Sequence, residues 1–239
     1  MAVDRALPGL AAREGAVILR LYAWDPHCLS FGRHEPAARR YDRDRIAAAG
    51  LDCVRRPTGG RAVWHARELT YAVAAPEALL GGLRQAYQQI HGWLATAIRI
   101  LGAPAELAAS HARAPRPGDG ACFAAPVGGE VMVNEWKVVG SAQVRIQDAL
   151  LQHGSMLLQD DQELVRQMGR EPELRAPLER PLATLLHRPV SWDEAADAVT
   201  AALPRHGHRP EPRDLEGAVR GLAEPWEDQF RDPAWTWER

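Results

Sequence analysis

Short apolar bursts, some alternating and some continuous, run through the first two thirds of the chain and predict strands. Ala16–Tyr22 (AVILRLY) and Cys28–Phe31 read as strands, with Gly32 as punctuation. Tyr41–Ala49 reads as a short arginine-rich helix closed by Gly50, a residue suited to the left-handed conformation that ends many helices. Strand signals return at Asp52–Arg56, Ala62–Trp64 and Leu69–Ala74. The strongest helical signal is Leu83–Leu101. There Leu83, Tyr87, Ile90, Leu94, Ile98 and Leu101 recur at three- and four-residue steps, and Gly102 and Pro104 end the run. Glu130–Val133, Lys137–Gly140 and Leu150–Leu158 predict further strands. From Asp160 onward the pattern turns helical, and Ser191-Trp192-Asp193-Glu194 has the form of a capping box opening a helix through Leu203. A Pro/Arg/His-rich stretch, Pro204–Pro212, leads to a last amphipathic piece. The three tryptophans of the tail Trp226–Arg239 are expected to pack against the body. The expectation is an α/β chain: a main domain over 1–203, then a linker and a helical, tryptophan-rich tail over 204–239.

The cysteines sharpen this picture. Cys28, Cys53 and Cys122 make an odd count, with no CxxC pair and no metal-ligand spacing, so neither a disulfide framework nor a metal site is expected. Cys28 and Cys53 lie in strand-like runs, where a free thiol behaves as a small buried hydrophobe. Cys122 follows the Pro/Gly-rich run Pro115–Gly120 and precedes Phe123-Ala124-Ala125-Pro126. At such a junction it is either a nucleophile or a structural thiol.

Charge adds one feature. Among 239 residues there are 28 arginines and a single lysine, Lys137. Arginine is a planar fork that stays charged, whereas a lysine ammonium is compact and can release its proton when buried. The arginine bias fits a GC-rich genome, so a chance survivor is the plain alternative to a functional lysine. The run Glu135-Trp136-Lys137-Val138-Val139-Gly140-Ser141 favours function, because a strand would deliver Lys137 to a glycine-serine turn facing a pocket. On that view the site is polar and open, and Lys137→Arg would cost little stability. The net charge of -2 gives no electrostatic case for nucleic acid or an anionic membrane. No apolar run approaches the roughly 20 residues of a membrane span. Met1–Pro8 mixes acidic and basic residues where a signal peptide would be apolar, so a cytoplasmic protein is expected.

The richest segment is Arg55-Arg56-Pro57-Thr58-Gly59-Gly60-Arg61-Ala62-Val63-Trp64-His65, followed by Glu68-Leu69-Thr70. Paired glycines let backbone approach a ligand, and successive N–H groups there can bind an oxyanion; a hairpin turn is the plain alternative. The string lacks the Gly-Lys-Ser/Thr ending of a phosphate-binding loop and the glycine spacing of a dinucleotide fingerprint. As a whole it resembles the signature of the biotin/lipoate protein ligase superfamily. Lys137-Val138-Val139-Gly140-Ser141-Ala142-Gln143-Val144-Arg145 and Leu151-Gln152-His153-Gly154-Ser155 resemble that superfamily's second and third motifs. The resemblance is close from Met1 to Leu158 and looser beyond.

The resemblance implies a ligase-type catalytic domain, a mainly antiparallel mixed sheet flanked by helices. The superfamily divides by chemistry: some members form an acyl- or biotinyl-adenylate from ATP, while others take octanoate from acyl carrier protein through an enzyme cysteine. Cys122-Phe123, about fifteen residues before Lys137, is similar to the nucleophile position of the ligase-like octanoyltransferases, where ATP-dependent lipoate ligases carry an Asn-Asp type pair. Arg61 stands where ligases usually have a third glycine that admits the nucleotide. Neither the accessory domain of long lipoate ligases nor the N-terminal helix-turn-helix of repressor-type biotin ligases is expected. Family members begin further upstream, with a strand leading into an Asn-x-Ala-x-Asp helix, whereas this sequence opens inside that helix, which puts an edge strand and part of the acyl pocket in question.

The resemblance further implies a two-step octanoyl transfer, with no cofactor. Cys122 attacks the thioester of octanoyl-acyl carrier protein, and the acyl group passes to a lysine of a lipoyl-type acceptor such as glycine cleavage H protein. Lys137 lowers the thiol pKa and holds the acyl carbonyl. Arg56, Thr58, Gly59, Gly60, Arg61, His65, Gly140, Ser141, Ala142, Gln143, His153 and Gly154 are the expected substrate-binding set. Within it, the backbone of Gly59-Gly60 and Gly140-Ser141-Ala142 is offered to the tetrahedral oxyanion. His65 and His153 are either general bases or structural histidines bonded to backbone. Two rivals stand beside this reading. One is an ATP-dependent lipoate or biotin ligase in which the glycine turn and Lys137 cradle an adenylate phosphate. The other is a catalytically silent module that binds carrier domains.

Overall fold

A computed structural model describes residues 1–109, 129–171, 178–204, 211 and 216–238; Cys122 lies outside the described residues. In chain order the first elements are helix α1 (Ala2–Glu14), strands β1 (Ile18–Tyr22) and β2 (Cys28–Phe31), and helices α2 (Ala37–Arg40) and α3 (Arg43–Ala48). Next come β3 (Asp52–Arg55), β4 (Val63–His65), β5 (Glu68–Pro76), α4 (Glu77–Leu80) and α5 (Leu83–Ile100). The third group is β6 (Ala105–Leu107), β7 (Val131–Val133), β8 (Trp136–Lys137), β9 (Val139–Ile146) and β10 (Ala149–Leu157). Helices α6 (Glu163–Gln167), α7 (Leu182–Leu186), α8 (Trp192–Ala202), α9 (Glu216–Arg231) and α10 (Pro233–Trp237) complete the described order.

The main sheet has the order β1-β5-β10-β9 and is antiparallel throughout. Its two central strands are covered on both faces, which is why Glu68–Pro76 and Ala149–Leu157 read as near-continuous buried runs rather than as alternating ones. On one face Tyr71, Val73, Leu150 and Met156 meet Ile90, Leu94 and Ile98 of α5 and Ala195 and Val199 of α8. On the other, Ala72, Ala74 and Leu151 meet Leu7 and Leu10 of α1 and Val219 of α9. The apolar stripe read in Leu83–Leu101 is the face of α5 turned to this core. Caps follow the sequence signals: Ser191 Oγ accepts from the Glu194 N–H at 3.1 Å, and Gly50 sits at φ 66° beyond α3.

A second sheet, β3-β2-β4, rules out the plain hairpin alternative at Gly59-Gly60. Strand β2 lies between the two strands that flank this loop, parallel to β3 and antiparallel to β4, so the loop crosses over β2 and is no hairpin. Gly60 takes φ 93°, and a Cβ on Gly32 would overlap the Gly60 carbonyl. The loop thus rests directly on the end of β2. The third sheet, β6-β7-β8, contains a strand that no sequence signal marks: β6 is three residues long, with Glu106 and Leu107 exposed, and pairing to β7 makes it.

The tail closes on the second sheet. Buried Arg55 donates to the carbonyls of Trp235 (2.9 Å) and Thr236 (2.8 Å) in α10, and to those of Gly32 (2.6 Å) and Glu35 (2.8 Å) after β2. Trp235 Nε1 returns a bond to Arg55 O at 3.1 Å, while Trp237 packs with Phe31. Arg5 of α1 lies over the Trp226 ring of α9. Among the described residues, no helix is long and apolar enough to cross a membrane.

Candidate functional site

A small cleft, open to solvent, lies where β10 and β9 face the second sheet. It brings together Arg56, His65, Gly140, Ser141, Ala142, His153 and Gly154 of the expected set, and adds Thr70 and Ser155. Thr58, Gly59, Gly60, Arg61, Gln143 and Lys137 are not on its wall. Gly140-Ser141-Ala142 form part of β9, not a turn: they pair with Ser155, Gly154 and His153 of β10. The chain reverses only at Gln147, where φ is 55°.

Both predicted histidines bond to side chains rather than to backbone. His65 lies between Glu68 (Nδ1 to Oε1, 2.6 Å) and Ser30 (Nε2 to Oγ, 2.6 Å). Glu68 also accepts from Thr70 Oγ1 and from Ser155 Oγ, and Trp24 stacks on the His65 ring. His153 lies between Asp4 (2.9 Å) and Thr58 (2.6 Å). Burial works against the Asp4 carboxylate, yet the hydrogen bond from His153, together with the N-terminal amine and Arg20, holds its carboxyl well below the usual carboxylate range. With Asp4 ionised, Nδ1 of His153 carries the proton and Nε2 accepts from the Thr58 hydroxyl. Burial lowers the His153 pKa as well, so the imidazole is neutral. Asp4 on α1, His153 on the main sheet and Thr58 in the glycine loop are thereby tied into one relay.

Arg56 belongs to the same construction. Its guanidinium donates to Ser30 O and Oγ and to the carbonyls of Gly59 and Arg61, so it shapes the loop from inside. The polar side chains on the cleft wall already have protein partners. Arg56, His65, Thr70, Ser141, His153 and Ser155 are all bonded behind the wall, while Tyr22, Trp24 and Val63 contribute apolar surface. A cleft so furnished favours an apolar occupant.

A third relay was not legible in the sequence. His91, fully buried on α5, bonds through Nδ1 to Gly129 O (2.6 Å) and through Nε2 to Ser141 Oγ (2.8 Å). Ser141 Oγ bonds Tyr71 OH (2.6 Å), Gln152 Nε2 donates to Tyr71 OH (2.9 Å), and Gln143 Nε2 donates to Gln152 Oε1 (2.7 Å). The sequence signal was faint: His91 is a polar residue on the buried side of the strongest predicted helix. Asp4, Ser30, Glu68 and Glu130 were missed as well, although Glu68 stands within the first motif.

Lys137 departs from the open setting expected of it. It is 2% exposed, with Nζ donating to Glu130 Oε1 at 2.6 Å across the β7–β8 turn. Its backbone N–H bonds Leu178 O and its carbonyl accepts from Arg180, so a segment beyond β10 covers this strand. Cys28 and Cys53 are free thiols, each pushed up to about 12, chiefly by burial. Such thiols are inert at neutral pH.

Two expected outcomes arise here. A Cβ at Gly154 would overlap Gly140 O and lie 2.8 Å from Ser141 Oγ and Tyr71 Cε1. Backbone of a paired strand cannot retreat as a flexible side chain would, so Gly154→Ala is expected to cost on the order of 1–3 kcal/mol, read as a lowered thermal midpoint. The second outcome concerns His91, whose pKa is lowered to about 4 by burial and by the charge of Lys137, against the Gly129 hydrogen bond. Its unfolded value lies higher, so the unfolded chain binds the proton first. This stability is fully present above about pH 6.5 and is lost as pH falls toward 4, on the order of 3 kcal/mol. Denaturant melts from pH 7 to 4 should show a slope that is shallower in His91→Gln.

Residues 1–204 match the Lipoyl protein ligase A/B catalytic domain. Octanoyltransferase LipM of Symbiobacterium thermophilum is 40% identical over 223 residues, covering 86% of this chain and 80% of the relative. Octanoyltransferase LipM of Kyrpidia tusciae is 36% identical over 258 aligned positions, covering 100% of this chain and 94% of the relative. Among solved structures, a lipoate-protein ligase A bound with ATP superposes with a TM-score of 0.78 at 22% identity, covering 99% of this chain and 92% of that one. The family model spans most of the sequence, and the chain belongs to the lipoyl protein ligase A/B family.

Proposed function

We propose that this chain is an octanoyltransferase of lipoate biosynthesis, an acyltransferase working through a cysteine thioester. The observation that carries the reading is the pair of relatives named octanoyltransferases, whose matches span most or all of the chain. The cleft supports it, because its polar side chains are bonded behind the wall and Tyr22, Trp24 and Val63 leave it an apolar surface. Donor and acceptor are octanoyl-acyl carrier protein and a lipoyl-type domain such as glycine cleavage H protein, and the reaction runs in the cytoplasm.

The chemistry takes two balanced steps. The Cys122 thiolate attacks the thioester carbonyl, a new C–S bond forms, and the carrier's thiolate leaves. The acceptor lysine amine then attacks the S-octanoyl carbonyl, the amide forms, and the enzyme thiol is restored by the amine's proton. Lys137 stabilises the thiolate and the developing oxyanion, with Glu130 fixing its ammonium. Cys28 and Cys53, held as protonated thiols, are unsuited to the first step.

Intact-mass spectrometry after mixing with octanoyl-acyl carrier protein tests the proposal. An octanoyl adduct labile to hydroxylamine is expected, without ATP, and ATP-Mg²⁺ is expected to leave the thermal midpoint unchanged. No adduct, together with ATP-dependent transfer of free octanoate, would overturn the reading in favour of a ligase.

A further inference from the structure

The His91 relay has a direction. A carbonyl oxygen can only accept, so the bond to Gly129 O fixes the proton on Nδ1 of His91, and Nε2 must accept from Ser141 Oγ–H. With its proton committed to His91, the Ser141 hydroxyl accepts from Tyr71 OH, which in turn accepts from Gln152. Every donor along the chain therefore points toward Gly129, and a neutral imidazole in one tautomer completes it. Gly129 immediately precedes Glu130, whose carboxylate holds Lys137 Nζ at 2.6 Å. The Tyr87 ring, one turn earlier on α5, lies against both the His91 ring and Gly129.

We infer that His91 is a positioning residue for acyl transfer: it ties Ser141 of the cleft strand to the Gly129–Glu130 backbone and so sets the Glu130 carboxylate that orients Lys137. The inference rests on the acyltransferase reading and adds a residue to it. Helix α5 supplies the rigidity, because His91 is flanked by Ile90 and Leu94, both anchored in the main core. The groups facing the imidazole are Tyr87 on its own helix, the Gly129 carbonyl, the Ser141 hydroxyl and, through charge, Lys137. A protonated His91 would lose its acceptor for Ser141 and set a second cation beside Lys137. Neutrality is part of the role.

The test separates hydrogen-bond polarity from proton acceptance. Glutamine can donate to Gly129 O and accept from Ser141 at once, whereas leucine keeps the bulk and can do neither. Wild type is first shown to form the octanoyl adduct; failure there sinks the acyltransferase reading itself. With that in hand, His91→Leu is expected to lower kcat for transfer to a lipoyl domain about tenfold or more, with KM within about twofold. His91→Gln is expected to regain most of that loss. Nitrogen-15 spectra of labelled histidine at neutral pH should show an imidazole protonated at Nδ1 and bare at Nε2 that is absent from the spectrum of His91→Gln. If His91→Leu unfolds, Ser141→Ala breaks the same link from the other end and should lower kcat in the same way. A His91→Leu or Ser141→Ala enzyme with wild-type kcat overturns the inference. A glutamine variant as slow as leucine overturns it too, since the imidazole would then be accepting a proton.

Discussion

Cys122→Ala is expected to abolish the octanoyl adduct and all transfer to the acceptor, while Cys28→Ala and Cys53→Ala leave both intact. The magnitude of thiol ionisation separates the three. A thiol with pKa near 12, as burial imposes on Cys28 and Cys53, is ionised to about one part in 10⁵ at pH 7. An unperturbed thiol is ionised to a few per cent, and a neighbouring ammonium raises that further. The structural thiols thus start more than about a thousandfold behind before access is considered. Their removal touches packing in the second sheet and one weak bond, from Cys28 Sγ to Leu29 O at 3.4 Å. Peptide mapping of the adduct checks the assignment. An adduct that persists in Cys122→Ala sinks the proposed nucleophile.

Lys137→Arg is expected to slow octanoyl transfer by about 10²–10⁴-fold, the usual range for a positioned acid–base group. Charge is conserved, so a purely electrostatic role would survive the change. Guanidinium, however, stays protonated at any accessible pH and spreads its donors over a wider plane. Because Lys137 is buried against Glu130, that plane must also fit a space shaped for an ammonium. Stability is therefore expected to fall along with activity, which separates this site from the open, tolerant one its sequence context suggests. Rates are to be referred to folded protein, with a thermal melt of each variant alongside. Near wild-type transfer per folded molecule would leave the lone lysine as a compositional accident.

Much of the architecture is local and could be read residue by residue. The three- and four-residue recurrence along Leu83–Leu101 specifies α5 because only a helix gathers those positions on one face. Ser191 and Glu194 announce a helix start because the capping bond spans three residues. Gly140-Ser141-Ala142 and His153-Gly154 of the second and third motifs stand out in the sequence and reach the cleft wall, whereas Gly59, Gly60 and the lone lysine stand out as clearly and lie off it. Those features need no knowledge of what lies across the fold.

Partnership across the fold is another matter. Asp4 meets His153 over 149 positions and Thr58 meets it over 95, and nothing in either neighbourhood names the partner. Strand β6 exists because β7 offers it a ladder, and Gly140-Ser141-Ala142 extend into β9 because β10 pairs with them; strand propensity is weak until an edge is supplied. Lys137 is buried because Glu130 comes to meet it and the chain around Leu178 covers its strand, so an ammonium that composition could only mark as unusual becomes a fixed donor. Periodicity is a property of neighbours along the chain, and residue order alone carries it. Burial, hydrogen-bond direction and charge pairing depend on which distant groups share a small volume, and that is decided only when the sheets close on one another.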